Sequence, residues 1–163
     1  MYRLLIIIFL GSSFLLKAQE THFASINNGN FEILLDTNIY KYELKEIIFG
    51  EEDSLHFYDR ISIVRDSTFG DSKEEYFFIL LEDFNLNQKT AKWLEKRGTN
   101  LFLIQEYNKK NRLQFYYYRC EGKTNCTPRV GIIGNKKGWS CDETFNCNID
   151  GSCTLSKIYV LTE

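Results

Sequence analysis

The residues with the most reactive chemistry in this sequence are five cysteines, all in the last third of the chain. They recur at a C-x5-C spacing in CEGKTNC, CDETFNC and CNIDGSC, the last two segments sharing a cysteine. The five are Cys120, Cys126, Cys141, Cys147 and Cys153. Cysteines grouped in this way either form disulfides or hold a metal ion, and their spacing helps to decide between the two.

The C-x5-C spacing favours disulfides. Zinc ligands usually come as C-x2-4-C or with histidines at matching spacing, whereas the two histidines here, His22 and His56, lie far upstream. The segment 120–153 is also rich in glycine and poor in large apolar residues, so it needs covalent support to become ordered. The sequence therefore predicts two disulfides, no metal site and no cofactor. A metal-binding module built from the cysteines is the alternative.

Because five is an odd number, one cysteine has no intramolecular partner. We expect this thiol either to be free or to join two chains in a covalent dimer. Chain entropy favours a bridge that closes a long loop, and a bridge from Cys120 to Cys153 would also tie one predicted strand to the last strand. We therefore hypothesise that Cys120 pairs with Cys153, among the several pairings that five cysteines allow.

The histidines and carboxylates carry no catalytic signature. Ser54 and Asp59 lie close to His56, but residues so near one another on an extended strand alternate between faces and cannot converge into a triad. The acidic runs at 51–53 and 74–75 are typical of solvated loops rather than of the spaced carboxylates of a glycosidase. We predict no catalytic residue. A small secreted hydrolase, with a site assembled from scattered residues, is the alternative.

Tyrosines are the candidates for ligand binding. In QFYYYR, Tyr116 and Tyr118 share one face of a predicted strand, while Phe115 and Tyr117 share the other. One face can complete the core, and the other can form an exposed platform for a sugar ring or a protein partner. We therefore predict Tyr116 and Tyr118 as ligand-binding residues. The alternative is that the chain itself covers both faces.

The beginning of the sequence indicates the compartment. Arg3 precedes an apolar run from Leu4 to Leu16, and Ala18 is a small residue of the kind that precedes a signal-peptidase cut. The run is shorter than the roughly 20 residues that cross a bilayer, so a retained membrane anchor is the less favoured alternative. We therefore expect a signal peptide at 1–18, no membrane attachment after its removal, and a periplasmic or extracellular protein.

Composition limits the partners of the mature chain. Removal of the leader, with Arg3 and Lys17, leaves 145 residues with 18 basic and 22 acidic side chains, a net charge of −4. A chain of this length is expected to form one domain, at 19–163. Its acidic balance argues against nucleic acid as a partner. The leading hypothesis is a non-catalytic exported protein that binds an unidentified protein or glycan.

Strand patterns dominate the segments that must position these residues. FEILLD at 31–36, IYKYEL at 39–44 and the stretch 55–64 are predicted as strands. In 55–64, four apolar residues are expected on one face: Leu55, Phe57, Ile61 and Ile63. EEYFFILLED at 74–83 is a continuous apolar run bounded by charges, which indicates a strand buried on both faces.

One helix is predicted, over QKTAKWLEKR at 88–97, with Asn87 as its cap and Gly98 as its stop. Two extended segments around a turn at 108–111 predict a hairpin, and LSKIYVL forms a closing strand. GIIGNKKG at 131–138 lacks the order of a phosphate-binding loop and is interpreted as a turn-rich loop. The predicted fold class is α+β: a mostly antiparallel sheet, one short helix and a disulfide-stapled loop region at 120–153.

Overall fold

The computed structural model describes residues 20–104, 106–107, 113–122, 126–141 and 153–161. In chain order the elements are β1 (His22–Asn27), β2 (Asn30–Ile33), α1 (Thr37–Phe49), β3 (Arg60–Ser67), β4 (Phe69–Gly70), β5 (Glu75–Asp83), β6 (Gln88–Arg97), β7 (Asn100–Leu103), β8 (Glu106–Tyr107), β9 (Leu113–Gly122), β10 (Arg129–Ile133), β11 (Lys136–Ser140) and β12 (Cys153–Leu161). This mostly antiparallel sheet structure with one short helix confirms the predicted fold class. The predicted signal peptide lies outside the described residues.

Two sheets are formed by the described residues. The large sheet has nine strands, with β3, β5 and β6 side by side and the path β12-β9-β6-β7-β1-β2 across its width. The small sheet contains the hairpin of β10 and β11 and the short strand β4. Every strand pair is antiparallel except β4 with β10.

The buried centre of the large sheet is β5. All residues from Tyr76 to Asp83 are buried, which confirms the prediction of a strand covered on both faces. Its neighbour β3 begins at Arg60, five residues after the predicted start. Leu55 and Phe57 therefore precede the strand and are exposed, contrary to the predicted common face, whereas Ile61 and Ile63 pack against the core.

The predicted strand at 39–44 was wrong, because this segment lies in α1. The Asp36 side chain accepts hydrogen bonds from the backbone N–H groups of Asn38 and Ile39, which caps the first turn. Gly50 ends the helix with a φ of 92°, a conformation that a residue with a side chain adopts at a cost. The helix period brings Tyr40 and Leu44 onto the same buried side.

The predicted helix at 88–97 was also wrong, because these residues form β6. Asn87, expected as a helix cap, instead adopts a left-handed turn conformation before the strand. Pairing with β5 on one edge and burial on both faces outweigh the helix propensities of single residues, which differ by a few tenths of a kcal/mol. The one helix of the described residues is therefore α1, which precedes β3, and not the predicted helix at 88–97.

The glycine-rich stretch 131–138 is a hairpin turn with its flanking strands, not a loop. Gly134 and Asn135 both have positive φ, as a two-residue turn of this kind requires, and they join β10 to β11. The predicted hairpin around 108–111 is present as the pairing of β8 with β9, although its turn lies outside the described residues. The predicted closing strand is β12, which pairs antiparallel with β9 along its whole length.

Two disulfides connect the last third of the chain. Cys120 is bonded to Cys141 and Cys126 to Cys153, so the hypothesis of a Cys120 to Cys153 bridge was wrong. The reason is the register of β12 on β9, which places Leu155, not Cys153, opposite Cys120. Cys147 takes part in neither bridge and lies outside the described residues.

Two apolar cores lie on opposite faces of the large sheet. The helix-side core contains Phe77, Ile79 and Leu81 of β5 and is covered by α1. The hairpin-side core contains Tyr76, Phe78 and Leu80 and is covered by Val130 and Trp139 of the small sheet. Alternate residues of one strand thus enter different cores. We call these two surfaces the helix side and the hairpin side.

The small sheet approaches β4 very closely. Gly70 has a φ of 93°, and a Cβ atom added there would lie 2.3 Å from the backbone oxygen of Ile132. Only glycine therefore permits the parallel pairing of β4 with β10. The Tyr76 hydroxyl adds a second link, because it accepts a hydrogen bond from the Val130 N–H and donates one to Asp66.

Candidate functional site

Neither histidine assembles a catalytic constellation among the described residues. His56 Nδ1 lies 3.0 Å from Asp53 Oδ2, and its ring stacks on Phe49 with a centroid distance of 3.7 Å. The Asp59 carboxylate does not contact the His56 ring but accepts a hydrogen bond from the backbone N–H of Phe84. Among the described residues no hydroxyl or thiol is hydrogen-bonded to the His56 ring. A carboxylate is thus present without a nucleophile.

The second histidine shows the opposite combination. His22 Nε2 lies 3.0 Å from the Ala24 carbonyl oxygen and 3.4 Å from Ser25 Oγ. The Ser25 hydroxyl donates to Asn100 Oδ1, so it is held by an amide, and no described carboxylate orients the imidazole. Here a hydroxyl is present without the carboxylate that a triad requires.

The large sheet splits along one edge of β6. On one edge β6 pairs continuously with β5, but its other edge is shared by two strands. β9 pairs with residues 88–91 of β6, and β7 pairs with residues 94–97. Neither of these ladders covers Lys92 and Trp93, so the sheet opens at that point.

A groove begins at this split. Its volume is about 520 Å³, and its lining in the described chain is Glu75, Tyr76, Phe77, Trp93, Leu94, Glu95, Lys96, Ile104 and Lys137. A smaller depression shares Trp93 and Ile104 with it and is also lined by Lys92 and Tyr116. We call the two together the Trp93 groove. Its volume is within the range of about 300–1,000 Å³ that is typical of small-molecule sites.

Aromatic rings form the base of the Trp93 groove. The Trp93 ring meets Tyr76 and Trp139 edge to face, with centroid distances of 5.4 and 4.8 Å. The Lys137 ammonium lies 5.3 Å from the centre of the Trp93 ring. Burial raises the pKa of Tyr76 to about 12, so its hydroxyl stays protonated at neutral pH. The aromatic rings at the base of the groove therefore carry no charge at neutral pH.

Charges at the rim of the groove balance one another. Glu75 accepts a hydrogen bond from Arg65 and lies 3.7 Å from the Lys96 ammonium. Lys137 Nζ lies 2.8 Å from Glu74. Two carboxylates, Glu75 and Glu95, and two ammonium groups, Lys96 and Lys137, thus line the opening without a net charge.

The structure places the two predicted tyrosines in different environments. Tyr116 lines the smaller depression, and Lys157 Nζ lies 3.7 Å from its ring centre. Tyr118 stacks on Trp139 at 5.1 Å within the hairpin-side core. Both are half-buried. Their role in ligand binding stays a prediction, and only Tyr116 borders the groove.

Sequence reasoning missed Trp93 as a site residue, because the segment around it was interpreted as a helix. The alternation of polar Thr90 and Lys92 with apolar Ala91 and Trp93 is the pattern that could have revealed a strand. Lys92 is only 1% exposed, and its ammonium lies 4.3 and 4.6 Å from the rings of Phe115 and Tyr117. Buried lysine is rare, so its position was not predictable from composition.

This chain matches no family model, and no curated protein or solved structure matches it. The described residues include no group of three or more histidine, cysteine or acidic side chains placed to hold a metal ion. No helix in the described ranges is long and apolar enough to cross a membrane. Function is therefore inferred from the geometry and charges of the Trp93 groove.

Proposed function

We propose that this protein is an exported, non-catalytic binding protein and that the Trp93 groove holds a neutral glycan. The observation that carries the proposal is the split in the sheet, which exposes an aromatic base inside a concave opening. An aromatic ring offers a flat apolar surface that fits the C–H face of a sugar ring. Tyr116, at the edge of the smaller depression, extends this surface.

The size of the groove favours a sugar over a protein as the ligand. A stable protein interface buries about 800 Å² on each partner, whereas a shallow groove of about 520 Å³ accommodates a small molecule or one unit of a chain. Disaccharides and the ends of longer glycans fit this description. Binding of a protein through the same surface is the less favoured alternative.

The balanced rim favours a neutral ligand. Carboxylates accept hydrogen bonds and ammonium groups donate them, so Glu95, Lys96 and Lys137 together suit hydroxyl groups, which do both. A strongly charged ligand would meet a like charge on one side of the opening. Neutral hydroxylated rings avoid this cost.

Export is supported by the leader pattern and by the two disulfides. Disulfides persist in oxidising compartments such as the periplasm or the cell exterior. If the leader is removed after Ala18, intact-mass measurement of material from a secreting host should give a chain that begins at Gln19. A mass that retains Met1 would argue against the proposed cleavage.

A binding screen tests the proposed function. An array of neutral di- to tetrasaccharides should contain at least one ligand, and calorimetry should then give its affinity for the purified protein. Trp93→Ala should weaken binding about tenfold or more, because a central aromatic contact is typically worth more than 1 kcal/mol. Lys96→Gln should have a smaller effect, since a rim hydrogen bond is worth less.

Phe84→Ala is the matched control for loss of an aromatic ring. Phe84 is exposed and does not line the groove, so its removal should leave the affinity unchanged. The thermal midpoint of each variant separates loss of binding from loss of folding. Failure of every neutral glycan to bind, or unchanged affinity in Trp93→Ala, would contradict the proposal. The hydrolase alternative has less support, because within the described ranges neither histidine has both a carboxylate and a nucleophile beside it.

A further inference from the structure

A second cavity lies between α1 and the segment that precedes β3. Its volume is about 330 Å³, and its lining among the described residues is Asn38, Lys41, Tyr42, Lys45, Phe57 and Tyr58. Buried Tyr58 belongs to the helix-side core, so this cavity is on the side of the sheet covered by α1. We call it the helix cavity. None of its described lining residues is acidic.

The described lining of the helix cavity contains two positively charged side chains and no negatively charged one. Lys41 and Lys45 are one helical turn apart, so their Cβ atoms are about 6 Å from each other. Lys41 Nζ donates to the backbone oxygen of Asp59 at 3.2 Å, and neither lysine forms an ion pair within the described part of the chain. The nearby Glu46 is instead hydrogen-bonded to the Tyr42 hydroxyl, which raises the pKa of Tyr42.

Apolar rings form the remaining wall. Phe57 is 65% exposed and Tyr42 is 60% exposed, although both lie against the cavity. Leu55, two residues before Phe57, is 72% exposed. Large apolar side chains grouped in this way leave a hydrophobic surface that a ligand can cover. Their position beside two ammonium groups defines a ligand with an apolar body and an anionic end.

We propose that the helix cavity binds a small amphiphilic carboxylate, with its apolar body against Tyr42 and Phe57 and its carboxylate between Lys41 and Lys45. This inference goes beyond the proposed glycan function and does not depend on it. The enclosed volume accepts the body of one small molecule, whereas a membrane surface would need a convex or flat apolar face. Charge complementarity selects the carboxylate over an uncharged molecule of the same size.

Decanoate and 1-decanol, which share a chain and differ in charge, test the proposal by titration into the full-length protein. Decanoate should bind measurably and decanol at least about tenfold more weakly. The double variant Lys41→Gln/Lys45→Gln should lose about tenfold in decanoate affinity and bind decanol like wild type, since hydrogen bonds to charged groups are the stronger ones. Added salt should weaken decanoate binding only.

Lys73→Gln/Lys136→Gln is the matched control, because it removes the same net charge from two exposed lysines outside the cavity. It should leave both affinities unchanged. Phe57→Ser should weaken both ligands, and because Phe57 is exposed it should not alter folding. Equal affinity for decanoate and decanol, or wild-type decanoate binding in the Lys41/Lys45 variant, would overturn the proposal. So would binding to phosphatidylglycerol vesicles without any binding of free decanoate.

Discussion

The helix side and the hairpin side of the large sheet are covered in different ways. On the helix side, α1 packs along a core that draws residues from β1, β5, β6, β7 and β9 and contains no disulfide. On the hairpin side, the two short strands β10 and β11 cover a smaller core. The two disulfides, one of which includes the fully buried Cys120, lie beside that smaller core. The cover on the helix side is therefore stabilised by apolar burial alone. The cover on the hairpin side is stabilised by apolar burial together with the two disulfides.

This difference follows from the size of the two covers. A helix of 13 residues can bury a continuous stripe of side chains, whereas each strand of the hairpin has only five residues. The hairpin gains further support from the close approach at Gly70 and from the Tyr76 hydroxyl. The helix cavity lies on the helix side, since four of its described lining residues are in α1. The Trp93 groove lies at the boundary, because its lining includes Phe77 of the helix-side core as well as Lys137 of the hairpin.

Reduction of the disulfides should have the largest effect and should distinguish the two sides. The bridges join cysteines 21 and 27 residues apart, and loops of this length are each worth about 3–4 kcal/mol in the chain-entropy account. Reduction should therefore free β10 and β11 before α1. Both tryptophans, Trp93 and Trp139, lie on the hairpin side, so their fluorescence should change before helical circular dichroism does.

Thiol counting accompanies this experiment. Two bridges use four of the five cysteines, so alkylation of denatured, unreduced protein should add one group per chain, at Cys147. No added group, together with a covalent dimer that separates on reduction, would place Cys147 in an intermolecular bridge. A single transition in which fluorescence and helical signal change together would show that the two sides are not independent.

Two adjacent phenylalanines of β5 provide a sharper comparison, because Phe77 enters the helix-side core and Phe78 the hairpin-side core. Each substitution to Ala should lower the free energy of unfolding by about 3–5 kcal/mol in the oxidised protein. After reduction, Phe78→Ala should lower the free energy of unfolding by less, because the hairpin that covers Phe78 is already loosened. The decrease caused by Phe77→Ala should stay the same. Denaturant titrations of both variants in both redox states measure this.

If the reduced alanine variants are unfolded, Phe77→Leu and Phe78→Leu give the same comparison with a smaller loss of stability. If reduction diminishes the destabilisation caused by the Phe77 and Phe78 substitutions to the same extent, the disulfides support the whole sheet. Persistence of the full Phe78 effect would mean that the hairpin stays packed without them.

Alkaline pH should lower the stability of the protein by a smaller amount, through the titration of one buried tyrosine on each side of the sheet. Burial raises the pKa of Tyr58, on the helix side, to about 12, and burial does the same for Tyr76 on the hairpin side. In the unfolded chain both lose their protons near pH 10, so the stability that they contribute is complete below about pH 10 and is lost between about pH 10 and 12. For Tyr58 this loss should be about 2–3 kcal/mol.

Denaturation midpoints of Tyr58→Phe and wild type between pH 9 and 12 check the sign, because the variant should lose less stability over this interval. Reduction should lower the pKa of Tyr76 toward its ordinary value, because departure of the hairpin with Trp139 would relieve burial, the largest cause of the rise. Loss of the Val130 N–H hydrogen bond, which lowers this pKa, should offset only part of that change, and the pKa of Tyr58 should stay raised. Phenolate absorbance of Tyr58→Phe and Tyr76→Phe assigns each titration. A Tyr76 pKa that does not respond to reduction would contradict the looser attachment of the hairpin.

Local patterns predicted some elements well. The apolar run of β5, the closing strand β12 and the disulfides of the last third followed from alternation, burial and glycine content within single segments. The helix could also have been found, because Asp36 and Gly50 are ordinary cap and stop residues. They were overlooked because IYKYEL also alternates like a strand.

Long-range partners limited the remaining predictions. β6 contains good helix formers and becomes a strand only because β5, β7 and β9 lie beside it. The cysteine pairing depends on the register of β12 on β9, which no local pattern fixes. Trp93 becomes a site residue only through the split between β7 and β9, whose registers on β6 no local pattern fixes.

The most direct test of the central claim, that the Trp93 groove is the glycan site, is a nitrogen-15 spectrum of the two indole groups. Trp93 and Trp139 are the two tryptophans of the chain, so their signals can be assigned with a Trp139→Phe variant. Titration with the glycan found in the binding screen should shift the Trp93 indole signal. The dissociation constant obtained from this shift should equal the one measured by calorimetry. Decanoate should leave the Trp93 indole signal in place and move amide signals in Thr37–Phe49. A glycan that binds without moving the Trp93 signal would contradict the account.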